Sequence, residues 1–128
     1  MCGIFASVGF EPDQHCIDIV SHRGPDGQGW IEFESGTGPV CLGHRRLAII
    51  DLDARSNQPM SCDDGRFWLT FNGEIYNFIE LRDELIGRGV AFNTTSDSEV
   101  LLQAYAAWGE AALQKLRGMF AFVIYDRE

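Results

Sequence analysis

The chain has 128 residues, a net charge of −9 at neutral pH and a hydrophobic content of 45%. This length is sufficient for one domain with a hydrophobic core of its own. The acidic balance argues against nucleic acid or an anionic membrane surface as a partner, because both favour basic proteins. No apolar run approaches the roughly 20 residues that a membrane-spanning helix requires.

The cysteines and histidines do not indicate a metal site. Cys2, Cys16, Cys41 and Cys62 form no Cys-x-x-Cys pair, and the three histidines are isolated from one another. Zinc binding is therefore not expected. Met1 is followed directly by strand-like sequence rather than by a basic leader, so we expect no secretory signal peptide. A chain of this kind is expected in the cytoplasm with reduced cysteines.

The first element in chain order is an apolar strand from Gly3 to Phe10, preceded by Met1 and Cys2. A small residue at position 2 permits an aminopeptidase to remove Met1, which would leave Cys2 with a thiol and a free α-amine. Such an amine has an ordinary pKa of about 7.7–8.0, so it can act as the base that activates the thiol. The alternative is a small cysteine buried at the start of an edge strand.

The next segment predicts a helix from Pro12 to about Ser21, with Cys16 and Ile17 on its apolar face. Gly-Pro and Asp-Gly pairs indicate a loop at residues 22–27. This loop is either a rigid turn or a segment that packs near Cys2 and shapes the mouth of a pocket. A strand, a turn and an apolar strand follow at residues 28–34, 35–39 and 46–51.

Residues 53–64 are polar and predict a surface connection, and residues 66–71 predict a strand. The strand brings the chain to Asn72-Gly73, which in isolation indicates a turn. The same pair can also supply two hydrogen-bond donors, the Asn amide and the unhindered Gly N–H, to a developing oxyanion.

The last third of the chain predicts two helices and a strand. Asn77 is expected to cap a helix that runs to about Ile86, and Ser96 to open a second helix that runs to about Trp108. After a short helix through Leu116, the strand from Met119 to Tyr125 is apolar almost throughout. We therefore expect it to be buried on both faces of a sheet.

Several short motifs occur in order along the chain: Met1-Cys2-Gly3-Ile4, His22-Arg23-Gly24-Pro25-Asp26, Leu42-Gly43-His44-Arg45-Arg46-Leu47-Ala48-Ile49-Ile50-Asp51, Phe71-Asn72-Gly73-Glu74-Ile75-Tyr76-Asn77, Thr95-Ser96-Asp97-Ser98-Glu99 and Gly118-Met119-Phe120-Ala121-Phe122. In these motifs the chain resembles class II glutamine amidotransferases, which are N-terminal-nucleophile hydrolases. Among them it most resembles the glutaminase domain of glutamine-hydrolysing asparagine synthetase. The resemblance implies an α+β fold, an αββα sandwich of two mostly antiparallel sheets, for one domain at residues 1–128 that is incomplete at its C-terminal end.

The resemblance also implies the catalytic residues. Cys2 would attack the side-chain amide of glutamine and form a thioester. The side chain of Asn72 and the backbone N–H of Gly73 would stabilise the oxyanion of the tetrahedral intermediate. The expected reaction is hydrolysis of glutamine to glutamate and ammonia.

Five further residues are implied in substrate binding. Arg46 would hold the α-carboxylate, for which a guanidinium fork is well suited. Asp97 would hold the α-ammonium group, in addition to stabilising the dipole of the helix that it opens. Ile49 and Ile50 would contribute backbone groups, and Glu74 completes the substrate site.

The same resemblance implies no metal or organic cofactor for the glutaminase reaction. ATP and Mg²⁺ would act in a synthetase domain that makes asparagine from aspartate, which is either a missing C-terminal part or a separate chain. The other expected partners are glutamine and, because Met119 to Tyr125 leaves an apolar edge uncovered, a second copy of the chain.

Two alternatives remain open at this point. The ammonia acceptor could be a sugar or a purine precursor, because the glutaminase half is shared among such enzymes. Alternatively, the chain could be a catalytically idle module that binds glutamine or docks a synthetase. Only the partner domain can decide the ammonia acceptor. Release of glutamate from glutamine by the purified chain would distinguish an enzyme from an idle module.

Overall fold

The computed structural model describes residues 1–128 and contains two three-stranded antiparallel sheets. The strands are β1 Gly3–Val8, β2 Gly27–Phe33, β3 Val40–Arg46, β4 Met60–Ser61, β5 Phe67–Ile75 and β6 Gly118–Asp126. The α-helices are α1 Phe78–Gly87 and α2 Asp97–Trp108, and 3₁₀ helices occupy Gln14–Arg23, Ala54–Ser56 and Gly109–Gln114. None of these helices combines the length and the apolar character needed to cross a lipid bilayer.

Each sheet has one central strand, β3 in the first sheet and β5 in the second. The first sheet has the order β1-β3-β2, and the second has the order β4-β5-β6. β3 therefore pairs on both sides, with Gly3 opposite Arg45 and Gly27 opposite Arg46. The α+β class with two antiparallel sheets is as the sequence predicts.

The two sheets face each other and are joined by hydrogen bonds between β3 and β5. The Thr70 hydroxyl donates to the Gly43 carbonyl at 2.9 Å, and His44 Nε2 donates to the Phe71 carbonyl at 3.0 Å. Both donors are fully buried. Satisfying these polar groups inside the sandwich fixes the position of β5 relative to β3.

A core of 13 buried residues connects the second sheet to the helices. Leu69, Leu85 and Leu102 within it are fully buried. Full burial of each such side chain contributes about 1.5–3 kcal/mol. The core therefore holds the beginning of α2 against β5.

The helix expected over 12–21 is present, but it runs from Gln14 to Arg23 and lacks the predicted apolar face. The segment is a 3₁₀ helix that starts after Asp13, whose side chain accepts a hydrogen bond from the N–H of His15. Its backbone departs from helical angles at Val20, and only Ile17 is buried. Ile19 is 77% exposed, so the segment has no apolar face of α-helical spacing.

The expected strand over 46–51 is wrong, because β3 ends at Arg46. Asp26 causes the change of direction: its N–H donates to the Arg46 carbonyl, and its carboxylate accepts from the N–H of Ala48 at 2.9 Å. The second contact gives the N–H of Ala48 a partner outside the sheet. The chain therefore leaves the sheet and becomes a wall of a cleft.

Residues 53–64 are not a simple surface connection, since alternate residues in it are buried: Ser56, Gln58, Met60 and Cys62. The Gln58 side chain accepts a hydrogen bond from the N–H of Phe71 at 2.6 Å. This bond takes the place of a strand partner for β5, which draws the segment into the structure.

Three local expectations in the second half differ from the structure. β5 runs through Asn72 and Gly73 to Ile75, so this pair lies within a strand. Asn77 does not cap α1 with its side chain, which instead bridges the carbonyl of Lys115 and the N–H of Arg117 at 2.9 Å each. β6 is not buried on both faces: none of its residues is fully buried, and Met119 is 66% exposed. It also lies at the edge of the second sheet.

Candidate functional site

A cleft that is partly open to solvent lies where the first sheet ends and α2 begins. It is lined by Met1, Cys2, Arg46, Leu47, Ile49, Ile50, Ser56, Gln58, Phe71, Gly73, Glu74, Ser96, Asp97 and Ser98. All of the predicted site residues except Asn72 are in this lining. The structure thus brings together residues that are distant in sequence and carry a nucleophile, a cation and a carboxylate.

Cys2 is held at the cleft by two segments. Its Sγ accepts a hydrogen bond from the N–H of Leu47 at 3.3 Å and lies 3.7 Å from the Leu47 carbonyl oxygen. Its own carbonyl accepts from Arg23 Nε at 3.0 Å. Arg23, the last residue of the 3₁₀ helix, therefore packs next to Cys2, whereas no residue of the 22–27 segment belongs to the cleft lining. That this segment shapes the mouth of the pocket stays a prediction. Met1 is 60% exposed.

Arg46 places a buried positive charge in the cleft, with 7% of the residue exposed. Nη1 donates to the Asp53 carbonyl at 3.0 Å and to Asn57 Oδ1 at 2.7 Å, and Nη2 donates to the Asp51 carbonyl. All three acceptors are uncharged. A buried guanidinium with neutral partners favours an anionic ligand, since a carboxylate would compensate its charge.

Asp97 lies in the first turn of α2 and is 5% exposed. Its Oδ2 accepts a hydrogen bond from the N–H of Ile75 at 3.0 Å. Burial raises the pKa of this carboxyl above its ordinary value. The predicted helix cap at Ser96 is present, with Oγ accepting from the N–H of Glu99 at 3.2 Å. This cap and the Ile75 contact fix where the carboxylate enters the cleft.

Gly73 reaches the cleft through its backbone. Its φ is +151°, and a Cβ at this position would lie 2.2 Å from the Met119 carbonyl oxygen and 2.6 Å from Phe120 Cα. Only glycine fits between β5 and β6 here. Asn72 is half-buried next to it and lies outside the cleft lining, with Oδ1 buried and without a hydrogen-bond partner. The donor role of Asn72 stays a prediction.

Sequence reasoning missed several polar residues of the site. Gln58 links the two sides of the cleft, since Oε1 accepts from Phe71 and Nε2 donates to Ser98 Oγ at 3.2 Å. Asp51 has a φ of +56° and contacts both the Arg46 guanidinium and Thr95. No local signal marked Gln58, because its burial depends on a hydrogen bond to Phe71, 13 residues along the chain. No local signal marked Asp51 either.

The remaining cysteines are not part of the cleft. All four cysteines are free, and Cys41 and Cys62 are buried. Burial raises the pKa of the Cys62 thiol to about 11, which disfavours its reactive thiolate. No three side chains of His, Cys, Asp or Glu come together in an arrangement that could hold a metal ion.

Comparisons with known proteins show the family of the chain. A family model described as the glutamine amidotransferase domain matches residues 1–128. Asparagine synthetase [glutamine-hydrolyzing] 1 of Bacillus subtilis (strain 168) is 50% identical over 109 residues, which are 85% of this chain and 16% of that protein. Asparagine synthetase [glutamine-hydrolyzing] 3 of the same organism is 38% identical over 139 residues, covering 100% of this chain and 22% of that protein.

A solved structure supports the fold. The glutamine phosphoribosylpyrophosphate (PRPP) amidotransferase of B. subtilis, complexed with ADP and GMP, matches with a TM-score of 0.79 and 24% sequence identity. The match covers 96% of this chain and 35% of that chain. The chain thus spans about one-fifth of the two synthetases and about one-third of the solved structure.

Proposed function

The chain belongs to the family of glutamine amidotransferase domains, and from this premise we propose that it hydrolyses glutamine to glutamate and ammonia. The observation that supports the proposal is the convergence of Cys2, Arg46, Gly73 and Asp97 on one cleft. These residues supply a nucleophile, a cation for a carboxylate, a backbone N–H donor and an anion for an ammonium group. The arrangement matches the groups of an amino acid with a side-chain amide.

In this proposal the reaction begins after an aminopeptidase has removed Met1. The α-amine of Cys2 takes the thiol proton, and Sγ attacks the amide carbon of glutamine. The Asn72 side chain and the Gly73 N–H stabilise the oxyanion that forms. The proton passes from the amine to the leaving nitrogen, and ammonia departs. Water then attacks the γ-glutamyl thioester, which releases glutamate and restores the thiol.

Binding in this proposal depends on two buried charges. Arg46 holds the α-carboxylate, because the acceptors that its guanidinium contacts within the chain are all neutral. Asp97 holds the α-ammonium group, with Glu74 and the backbone of Ile49 and Ile50 completing the site. Glutamate has the same two α-groups as glutamine, so discrimination arises from contacts to the side-chain amide.

We further propose that the ammonia is used in the cytoplasm to make asparagine from aspartate. The support is the 50% identity to a protein named asparagine synthetase, together with that protein's greater length. The glutaminase step needs no cofactor in this account, whereas ATP and Mg²⁺ act in the synthetase domain. Where this domain is joined to a synthetase domain, ¹⁵N from the glutamine amide should appear in asparagine. Label in an amino sugar or a purine precursor would support a different acceptor.

Glutamate release by the purified chain tests the glutaminase proposal. We expect wild type to release glutamate and ammonia in equal amounts, and Cys2→Ala to release neither while keeping its fold. Cys16→Ala is the matched control, because Cys16 is half-buried and lies outside the cleft. Equal activity of Cys2→Ala and wild type would contradict the proposal, and a folded, inactive wild type with Met1 removed would support an idle binding module.

A further inference from the structure

Asp51 joins the two sides of the cleft. Its Oδ2 accepts a hydrogen bond from the N–H of Thr95 at 2.7 Å and from Thr95 Oγ1 at 3.0 Å. Thr95 is 44 residues further along the chain and two residues before Asp97. The carboxylate therefore connects the segment that follows β3 to the segment that begins α2.

The same residue also holds the guanidinium of Arg46. The Asp51 carbonyl accepts from Arg46 Nη2, and Asp51 Oδ1 accepts from the N–H of Asp53 at 2.9 Å. The Asp53 carbonyl in turn accepts from Arg46 Nη1 at 3.0 Å. Two of the three acceptors on Arg46 thus belong to a turn that the Asp51 side chain closes.

The backbone of Asp51 is strained in a way that fits this role. Its φ of +56° makes it the only non-glycine residue with a positive φ in the chain. Aspartate and asparagine adopt this left-handed conformation more readily than other side chains, although at a cost in free energy. The conformation persists because hydrogen bonds on both sides of the residue determine it, a pattern that is common at binding sites.

We infer that Asp51 is a positioning residue that sets the distance between Arg46 and Asp97. This inference rests on the proposed function, in which those two residues bind the α-carboxylate and the α-ammonium group of the substrate. The spacing of the two groups in an amino acid is fixed, so a cleft that holds both must fix the spacing of their partners. Asp51 does so by direct contact with the Arg46 guanidinium and with the segment that leads into Asp97.

The location of Asp51 agrees with a role at the cleft rather than in the hydrophobic core. Hydrogen bonds from Thr95 and from the N–H of Asp53 hold the pKa of Asp51 at about 2, so the acceptor stays ionised at neutral pH. Neither Asp51 nor Thr95 belongs to the hydrophobic core, and Thr95 is exposed. Loss of their contact should therefore loosen the cleft and leave the core intact.

The test compares Asp51→Asn with the control Asp13→Asn. Asparagine tolerates the positive φ, but it removes the charge and leaves one acceptor oxygen for the donors that the carboxylate serves. Asp13 also accepts a main-chain N–H, that of His15 at 2.9 Å, and it is exposed and lies outside the cleft lining. Both variants remove one surface carboxylate and keep the side-chain size.

We expect Asp51→Asn to raise the KM for glutamine by about tenfold, with kcat much less affected. Its Tm should fall more than that of Asp13→Asn, because the lowered pKa of Asp51 means that the ionised side chain also stabilises the folded state. The dissociation constant for glutamate, measured by calorimetry, should rise by the same factor because glutamate keeps both α-groups. Thr95→Val removes the hydroxyl donor to Asp51 and keeps the N–H donor. It should therefore raise the KM for glutamine in the wild-type background and raise it little further in the Asp51→Asn background.

The outcomes separate this inference from the proposed function. A wild type that hydrolyses glutamine, together with an Asp51→Asn variant of unchanged KM and unchanged glutamate affinity, overturns the inference alone. A large Tm loss with unchanged KM assigns Asp51 a purely structural role and also overturns it. A wild type that neither hydrolyses glutamine nor binds glutamate overturns both.

Discussion

Asp97 accepts a hydrogen bond from the backbone N–H of Ile75 at 3.0 Å, and this bond joins the start of α2 to the end of β5. Ile75 is fully buried and lies two residues after Gly73. The proposed ammonium-binding carboxylate is therefore fixed relative to the proposed oxyanion donor. A substrate held by Asp97 has its reacting end placed by the same strand.

This geometry predicts a pH dependence of substrate binding. Burial raises the pKa of Asp97, so on acidification its carboxylate is protonated at a higher pH than an exposed aspartate. A protonated Asp97 cannot compensate an ammonium group. We expect the KM for glutamine to rise as the pH falls, beginning above the ordinary Asp pKa of 3.8. Asp97→Asn should bind poorly at every pH, and a KM that is independent of pH in wild type would contradict the role of Asp97.

A second prediction separates the two ends of the substrate. Arg46→Lys keeps a positive charge but loses the bidentate fork, so it should mainly raise the KM for glutamine. Asn72→Ala should instead lower kcat by roughly 10²–10³, the usual effect of losing one oxyanion donor. Steady-state kinetics of both variants give the comparison. If Asn72→Ala changed only KM, the assignment of its side chain to the oxyanion would be wrong.

The third prediction concerns the close approach of β5 and β6. Gly73→Ala would place a Cβ 2.2 Å from the Met119 carbonyl oxygen at a φ of +151°. Backbone atoms cannot move aside without breaking the β5–β6 pairing, so we expect a loss of about 2–4 kcal/mol in the free energy of unfolding. The control is Gly87→Ala at the end of α1, where no atom lies within 4 Å of the new Cβ. That change should stabilise the chain by up to about 1 kcal/mol. Equal Tm values for the two variants would refute the steric argument.

His44 predicts how stability changes with pH. Burial lowers its pKa from 6.5 to about 4, and the neutral ring donates from Nε2 to the Phe71 carbonyl. Because the pKa of His44 is lower in the folded state than in the unfolded state, the neutral ring contributes its full share of folding stability above pH 6.5. This contribution is lost as the pH falls towards 4. The full loss is about 3 kcal/mol. Urea unfolding at a series of pH values should show it in wild type, and His44→Gln should lack this part of the acid dependence. An identical dependence in both proteins would contradict the account.

Elements with a complete local signal could be predicted from the sequence. α2 begins at Asp97 because Ser96 is a cap residue, and the structure has that cap. β1 could be predicted from its apolar residues alone. The end of β3 could not be predicted, since it depends on Asp26 binding the N–H of Ala48 across 22 residues of chain. The burial of Gln58 likewise depends on Phe71, 13 residues away.

The site residues divide in the same way, into those that the sequence identifies and those that tertiary contacts bring into the site. Motif resemblance predicted Cys2, Arg46 and Asp97 as site residues, because their residue types match an amino-acid substrate. It did not predict Asp51, whose partner Thr95 is 44 residues away and whose φ is positive. Residue types are carried by local sequence, whereas the distances between them are set by tertiary hydrogen bonds.

Cys2 is proposed to act as an N-terminal nucleophile. Its α-amine is free to act as a base only after Met1 has been removed, and Met1 is 60% exposed and thus accessible to an aminopeptidase. A tag that remains at the N-terminus blocks the amine and keeps the thiol. The same tag at the C-terminus is the control for any effect of the tag itself.

The most direct measurement is therefore glutamate release by the two tagged forms, with intact mass spectrometry to determine the fraction of each that lacks Met1. We expect activity of the C-terminally tagged chain in proportion to the fraction without Met1, and loss of most activity in the N-terminally tagged chain. Full turnover by a chain that retains its N-terminal tag would contradict the proposed nucleophile and its base.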